Sequence, residues 1–130
     1  YKNPQVSKDI IFNNLNLDWD SDLIITEGVF DAMKCENAVP LLGSTLRENS
    51  KLFQEICKYK PDVYLALDED AKEKEFIIAK KLKDYGIKVS SINISGYSDI
   101  GEMPHAIVQQ RKQNAAIISD LDYLEYKLNF

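Results

Sequence analysis

The chain has 130 residues, of which 45% are hydrophobic and 28% are charged, and this balance is typical of one globular domain and excludes a disordered or fibrous segment. Acidic residues outnumber basic ones by 21 to 16, so the formal charge of −5 disfavours a free-standing nucleic-acid binder with a basic surface. No apolar run approaches the roughly 20 residues of a membrane span, so we expect no membrane contact.

The N-terminus and the cysteines predict a cytoplasmic protein. The start, Tyr1-Lys2-Asn3-Pro4, lacks the features of a signal peptide, and the absence of Met at position 1 suggests a fragment of a longer protein. Cys35 and Cys57 form no Cys-x-x-Cys motif, which disfavours a zinc finger or a disulfide scaffold. We interpret both as small core residues.

The first half of the chain alternates apolar runs with helical patterns. Residues 23–26 predict a buried strand and residues 28–37 a short helix. Residues 38–42 predict a second strand, in which Pro40 favours an edge position or the entry of the strand. Residues 46–59 have apolar side chains at helical spacing, and a proline soon after them ends the pattern.

The second half continues the alternation. Residues 63–67 predict the strongest strand of the chain, and residues 71–85 predict a helix that a glycine ends. Residues 87–94 predict a fourth strand. After a polar loop, helical stretches are predicted over 104–112 and 117–128.

This order of elements predicts an α/β fold with a mainly parallel central sheet of about four strands, flanked by helices on both faces. Ligands of such sheets bind beyond the carboxyl ends of the strands. Residues 22–112 form the predicted domain, with a flank over 1–21 and a helical extension over 113–130.

Acidic residues follow three of the predicted strands. Glu27 ends the first strand, Asp68 and Asp70 end the third, and Asp99 and Glu102 lie in the loop after the fourth. Because the carboxyl ends of parallel strands meet at one edge of a sheet, we expect these carboxylates to converge.

Local geometry adds to this group. Asp31 lies four residues after Glu27, one helical turn along, so both can face the same side of the junction. Asp68 and Asp70 are two apart, so in extended backbone they point the same way. Gly28 permits a sharp turn and a close approach of the backbone to a ligand.

Six converging carboxylates predict divalent cations. Without these six, 15 acidic residues face 16 basic ones, so the rest of the chain is nearly neutral. All-oxygen ligands suit Mg²⁺ or Mn²⁺, and two such ions can hold the attacking and leaving oxygens of a phosphoryl transfer. The alternative for each acid alone is a solvated side chain or a helix cap, as for Asp70 before the helix over 71–85.

Four ordered motifs lie at or after the predicted strands: Thr26-Glu27-Gly28-Val29-Phe30-Asp31-Ala32, Leu41-Leu42-Gly43-Ser44-Thr45, Leu65-Ala66-Leu67-Asp68-Glu69-Asp70-Ala71 and Ser98-Asp99-Ile100-Gly101-Glu102. In that order, they resemble the Glu-Gly-x-x-Asp signature, the Leu-Gly-Thr/Ser stretch, the Asp-x-Asp motif and the third acidic motif of the Toprim domain in bacterial and phage DNA primases. The flank over residues 1–21 resembles the primase segment that leads from the N-terminal RNA-polymerase subdomain into Toprim.

The resemblance implies roles for these residues. Glu27, Asp68 and Asp70 would be catalytic, while Lys8 and Gly28 would contact the template or the nucleotide. Two or more Mg²⁺ or Mn²⁺ ions would be held by the whole acidic set, Glu27, Asp31, Asp68, Asp70, Asp99 and Glu102. The implied reaction is the joining of ribonucleoside triphosphates into an RNA primer on single-stranded DNA, beside a replicative helicase.

The chain departs from the primase pattern after its first aspartate. Glu69 stands where primases have glycine, and Ala71-Lys72-Glu73-Lys74 replaces their Ala-Gly-Arg/Lys. The chain also has no zinc-binding module, and only a short flank stands for the basic subdomain with which primases grip the template. We therefore expect the isolated chain to bind metal but to prime weakly or not at all. Two alternatives stay open: a Toprim nuclease or topoisomerase fragment that cleaves phosphodiesters, and a degenerate Toprim module that binds a partner or docks a helicase.

Overall fold

Five strands form one sheet in the part of the chain that the computed structural model describes, residues 10–12, 14–41 and 46–128. The strands are β1 (Leu23–Thr26), β2 (Ala38–Pro40), β3 (Val63–Ala66), β4 (Val89–Ser91) and β5 (Ala116–Ile117). Their order is β2-β1-β3-β4-β5, in which β1 to β4 are parallel and β5 runs antiparallel to β4. The predicted α/β fold with a mainly parallel sheet is confirmed.

Helices connect the parallel strands. They are α1 (Val29–Met33), α2 (Lys51–Tyr59), α3 (Lys72–Asp84), α4 (His105–Gln113) and α5 (Asp120–Leu128). Single turns of 3-10 helix cover Asn14–Asn16, Glu69–Ala71 and Ile100–Glu102. Within the described ranges, no helix has the length and apolar character needed to cross a membrane.

The helices cover both faces of the sheet, as predicted. Successive residues of a strand point to opposite faces. Leu23 and Ile25 of β1 therefore join one core with α2 and α3, whereas Ile24 joins a second core with Ala32 of α1 and Val108 of α4.

Pro40 lies in β2, the outermost strand on its side of the sheet. A proline has no backbone N–H, so an edge strand accommodates it without a lost ladder bond. The ladder resumes at Leu41, whose N–H donates to the Thr26 carbonyl at 2.9 Å. The predicted edge position is confirmed.

A fifth strand replaces the start of the helical stretch predicted over 117–128. β5 pairs with the last two residues of β4, and the helix begins only at Asp120. The Ser119 N–H donates to Asp122 Oδ2 at 2.9 Å, and the Asp122 N–H donates to Ser119 Oγ at 3.2 Å. This reciprocal cap fixes the helix start, and a two-residue strand is too short for apolar periodicity to reveal.

Two predicted helices are shorter in the structure. The helix expected over 28–37 ends at Met33, because Asn37 is left-handed at φ 49° and its side chain donates to the Asp22 carbonyl at 2.6 Å. The helix expected over 46–59 begins at Lys51, and Ser50 caps it by accepting the Phe53 N–H with its Oγ at 3.2 Å.

Candidate functional site

The carboxyl edge of the sheet has its topological switch point between β1 and β3. The chain leaves β1 toward β2 on one side, and β3 lies on the other side. Thr26 and Ala66 are register partners, so the segments that follow β1 and β3 leave the sheet side by side. Glu27 and Asp68 are the first acidic residues on these two segments. Open α/β sheets bind their ligands in this crevice.

Glu27 is paired with a lysine from α3. The Nζ atom of Lys74 lies 3.0 Å from Oε2 and 3.3 Å from Oε1 of Glu27. The side chains of Glu27 and Lys74 are 21% and 27% exposed, so the pair is partly withdrawn from water. Thr26, which is buried, donates its hydroxyl to the Gly28 carbonyl at 2.9 Å and so shapes the turn that carries Glu27.

Asp31 joins α1 to the loop after β4. The backbone N–H groups of Gly101 and Gly28 lie close enough to the Asp31 carboxylate to act on its pKa, and so does the Asp99 carboxyl. Lys34 adds a second tie, because its Nζ donates to the Gly101 carbonyl at 3.1 Å. The loop that carries Asp99 is thereby held against the helix that carries Asp31.

The pKa of Asp31 is raised above the ordinary value of 3.8. Burial is the largest cause, and the charge of Asp99 and the hydrogen bond between the two carboxyl groups add to it. The N–H groups of Gly101 and Gly28 act in the opposite direction, because they stabilise the ionised form.

Asp68 lies within electrostatic range of four other acidic residues. Its pKa is raised, first by burial and then by the negative charges of Glu27, Asp31, Asp70 and Asp99. Asp68 stands at the N-cap of the 3-10 helix Glu69–Ala71, yet its side chain makes no capping hydrogen bond. The Asp68 carboxylate therefore lies among like charges and does not cap the helix.

Asp70 is an exposed residue within the same 3-10 helix. The alternative interpretation of Asp70 as a helix cap is wrong, because Ala71 occupies the N-cap of α3. The charge of Asp70 instead contributes to the raised pKa of Asp68.

Glu102 forms hydrogen bonds within its own loop. Its Oε1 accepts the Ser98 N–H at 3.2 Å, and its N–H donates to Asp99 Oδ1 at 3.0 Å. Of the six predicted metal ligands, Glu102 is exposed and is tied to the loop, whereas the charges of the other five act together at Asp68.

Gly28 has an extended backbone, with φ −114° and ψ 158°, so the turn itself does not require glycine there. A Cβ at this position would lie 3.4 Å from Asp31 Oδ2, an ordinary van der Waals contact. Lys8 lies outside the described residues, and so do Leu42, Gly43, Ser44 and Thr45 of the second motif.

The acidic side chains fit a divalent cation by their chemistry. Hard oxygen donors suit Mg²⁺ and Mn²⁺, and an ion among them would offset the burial and the repulsion that together raise the pKa of Asp31 and Asp68. Within residues 10–12, 14–41 and 46–128, however, no three His, Cys, Asp or Glu side chains are grouped so that they could hold an ion as they stand. Binding therefore requires side chains to move, first of all Lys74.

A cleft of about 630 Å³ opens beside Asp68, between the start of α3 and the segment after β4. Glu75 lines it and is buried, with its carboxylate hydrogen-bonded by the Ser91 hydroxyl and by Lys72 Nζ at 3.2 Å. Further neutral polar groups line the cleft: Asn93, Ser95 and Asn114.

Sequence reasoning missed Lys74 and the cleft. A signal for Lys74 is present, because it lies four residues after Asp70, in the first turn of the helix that follows the Asp-x-Asp motif. The cleft has no sequence signal, since Glu75 and Ser91 meet only through the packing of α3 on β4.

Searches of the chain against protein-family models and against curated proteins found no match.

Proposed function

We propose that the chain is the Toprim-type catalytic domain of a DNA primase, which joins ribonucleotides on a single-stranded DNA template with the help of divalent metal ions. The observation that carries this proposal is that Glu27 and Asp68 follow register partners at the switch point of the sheet, where the negative charges of Glu27, Asp31, Asp70 and Asp99 act on Asp68. The order of the four motifs along the chain supports a primase origin.

The metal ligands would come from four separate segments. Asp68 and Asp70, with Glu27, Asp31 and Asp99, would hold two or more Mg²⁺ or Mn²⁺ ions, since all five are carboxylates at one edge. When bound, such ions would offset the charge of the phosphates and lower the pKa of the attacking hydroxyl.

Glu27 is the proposed proton acceptor. It lies at the end of a buried strand, and it is partly exposed to the crevice where a substrate hydroxyl could reach it. A positioned carboxylate that takes a proton in the transition state contributes about 10² to 10⁴ in rate. Asp31 and Asp99 would keep the loop after β4 in place beside it.

The cleft beside Asp68 has the size and the polarity for the nucleotide. Its volume of about 630 Å³ lies in the range of small-molecule sites. Ser91, Asn93 and Asn114 offer neutral donors and acceptors for a ribose and a base, while Asp68 at its mouth would face the phosphates. In this role the partners would be a DNA template, ribonucleoside triphosphates and a replicative helicase, in the cytoplasm.

The alternatives make different demands on the same residues. A nuclease or topoisomerase would use the same acids and cleave strands instead of joining nucleotides. A module that only binds a partner has no use for five carboxylates whose repulsion destabilises the fold. The retention of that repulsion favours the metal-dependent enzymes over the binding module.

Manganese titration tests the metal requirement. We expect Mn²⁺ to broaden the NMR signals of residues near Asp68, Asp31 and Glu27, and the double variant Asp68→Asn/Asp70→Asn to abolish this effect. The matched control, Asp62→Asn/Asp84→Asn, removes the same charge from exposed positions. Broadening that is equal in both double variants, or absent even with a nucleotide added, would exclude the catalytic role.

Product analysis separates the two kinds of enzyme. The longer protein that contains this domain should make short RNA products from ribonucleoside triphosphates on single-stranded DNA. Strand cleavage without RNA synthesis would instead identify a nuclease. We expect the 130-residue chain alone to synthesise little or no primer.

A further inference from the structure

Lys74 contacts both carboxylate oxygens of Glu27, the proposed proton acceptor. Its Nζ lies 3.0 Å from Oε2 and 3.3 Å from Oε1 of Glu27, so one ammonium group covers the atoms that a metal ion would need. The lysine and its partner come from different segments, the first turn of α3 and the end of β1.

The other lysines of α3 that form ion pairs have different carboxylates as partners. Lys72 pairs with Glu75, Lys80 with Asp84 and Lys83 with Asp120. The side chains of Glu27 and Lys74 are less exposed than those of Lys80 and Asp84, which are 59% and 62% exposed. Less water therefore screens the Glu27–Lys74 pair than the Lys80–Asp84 pair.

We propose that Lys74 is a resident counter-cation of the acidic site, which a divalent ion must displace from Glu27. This inference rests on the proposed metal-dependent function. The ammonium offsets part of the negative charge at the sheet edge while no metal is bound, and it weakens cation binding because it repels the ion and occupies its ligand. A metal ion therefore needs a higher concentration to occupy Glu27 than it would need without Lys74.

Metal affinity in a lysine variant tests the proposal. Lys74→Met keeps the length of the side chain and removes its charge, and we expect the Kd for Mn²⁺, measured from the free-ion EPR signal, to fall by about two- to fivefold. Lys80→Met is the matched control, since it removes the same charge from an exposed position of the same helix. Lys74→Arg, which keeps the charge, should bind Mn²⁺ no more tightly than the wild type.

A double-mutant cycle shows whether the effect acts through Glu27. In the Glu27→Gln background, the change Lys74→Met should lower the Kd by a smaller factor than in the wild type, because only the repulsion of the ion and no longer the cover on its ligand is removed. An equal gain in Lys74→Met and Lys80→Met, or no gain in either, overturns the role of Lys74. Mn²⁺ binding that survives in Asp68→Asn/Asp70→Asn overturns the proposed site, and the inference with it.

A measurement on the unaltered chain guards against variants that fail to fold. The ¹⁵N resonance of Lys74 Nζ can be followed while Mg²⁺ is added. We expect it to shift toward the position of a solvated lysine as the site fills, whereas Lys80 Nζ stays unchanged. A Lys74 signal that is constant at saturating Mg²⁺ would show that the ion leaves the pair intact and would refute the displacement.

Discussion

Gly101 and Asp31 approach each other so closely that no side chain fits between them. A Cβ atom at Gly101 would lie 2.6 Å from Asp31 Oδ1 and 3.2 Å from Asp99 Oδ1. The contact joins the loop after β4 to α1, the helix that carries Asp31. The approach of these two segments therefore depends on glycine for space.

Gly101→Ala tests this dependence. The added methyl group must displace Asp31 or the loop, and we expect the free energy of unfolding in urea to fall by about 1–3 kcal/mol. Gly28→Ala is the control, because its Cβ would lie 3.4 Å from Asp31 Oδ2 on an extended backbone, and its cost should stay within about 0.5 kcal/mol. Equal stability of Gly101→Ala and the wild type would contradict the close contact.

Asp68 makes the stability of the metal-free chain depend on pH. A carboxyl group whose pKa is raised by folding binds protons more readily when folded, so protonation stabilises the fold. This contribution is complete below the unfolded pKa near 3.8 and is lost as the pH rises through the raised folded value. With a chelator at pH 7, Asp68→Asn should therefore be more stable than the wild type, and the difference should shrink as the pH falls.

Urea unfolding between pH 4 and pH 7 measures this trend. Asp84→Asn, at an exposed position of α3, should show no such pH-dependent gain. Saturating Mg²⁺ should reverse the order at pH 7, since the ion then stabilises the wild-type carboxylates. A wild-type chain that is more stable than Asp68→Asn at pH 7 in the chelator would argue against uncompensated repulsion at this site.

Glu27→Gln should separate catalysis from folding. The partly exposed pair with Lys74 stabilises the fold by about 1 kcal/mol or less, so unfolding should change little. Under the proposed function, primer synthesis should fall about 100-fold or more, because the proposed proton acceptor is lost. Glu73→Gln, which breaks only an exposed pair with Lys127, is the matched control and should retain activity. Near-normal synthesis by Glu27→Gln would remove Glu27 from the mechanism.

The reactivity of the Cys35 thiol measures the combined effect of its burial and of the Asp31 charge. Burial, with a further contribution from the negative charge of Asp31, raises the pKa of the Cys35 thiol to about 11. In a Cys57→Ala background at pH 8, folded protein should react with a disulfide reagent about tenfold or more slowly than protein unfolded in urea. Asp31→Asn should accelerate the folded reaction. A rate that is equal in the folded and unfolded chains would contradict the partly buried, electronegative setting of Cys35.

The strands and the acids at their ends were predictable from local patterns. β1 and β3 are continuous apolar runs, as expected of strands buried on both faces, and the parallel order follows from the helices between them. That order alone places Glu27 and Asp68 at one edge, because the carboxyl ends of parallel strands lie together. The metal-binding role of these acids stays a prediction.

The tertiary structure decided which side chains meet at that edge. Lys74 reaches Glu27, Gly101 admits the Asp31 carboxylate, and β5 extends the sheet, and none of these contacts joins neighbours in the sequence. Residue type and spacing determine what a segment can form by itself. The pairing of a lysine with one carboxylate among many depends on how α3 packs against the sheet, and that is settled only when the whole core is assembled.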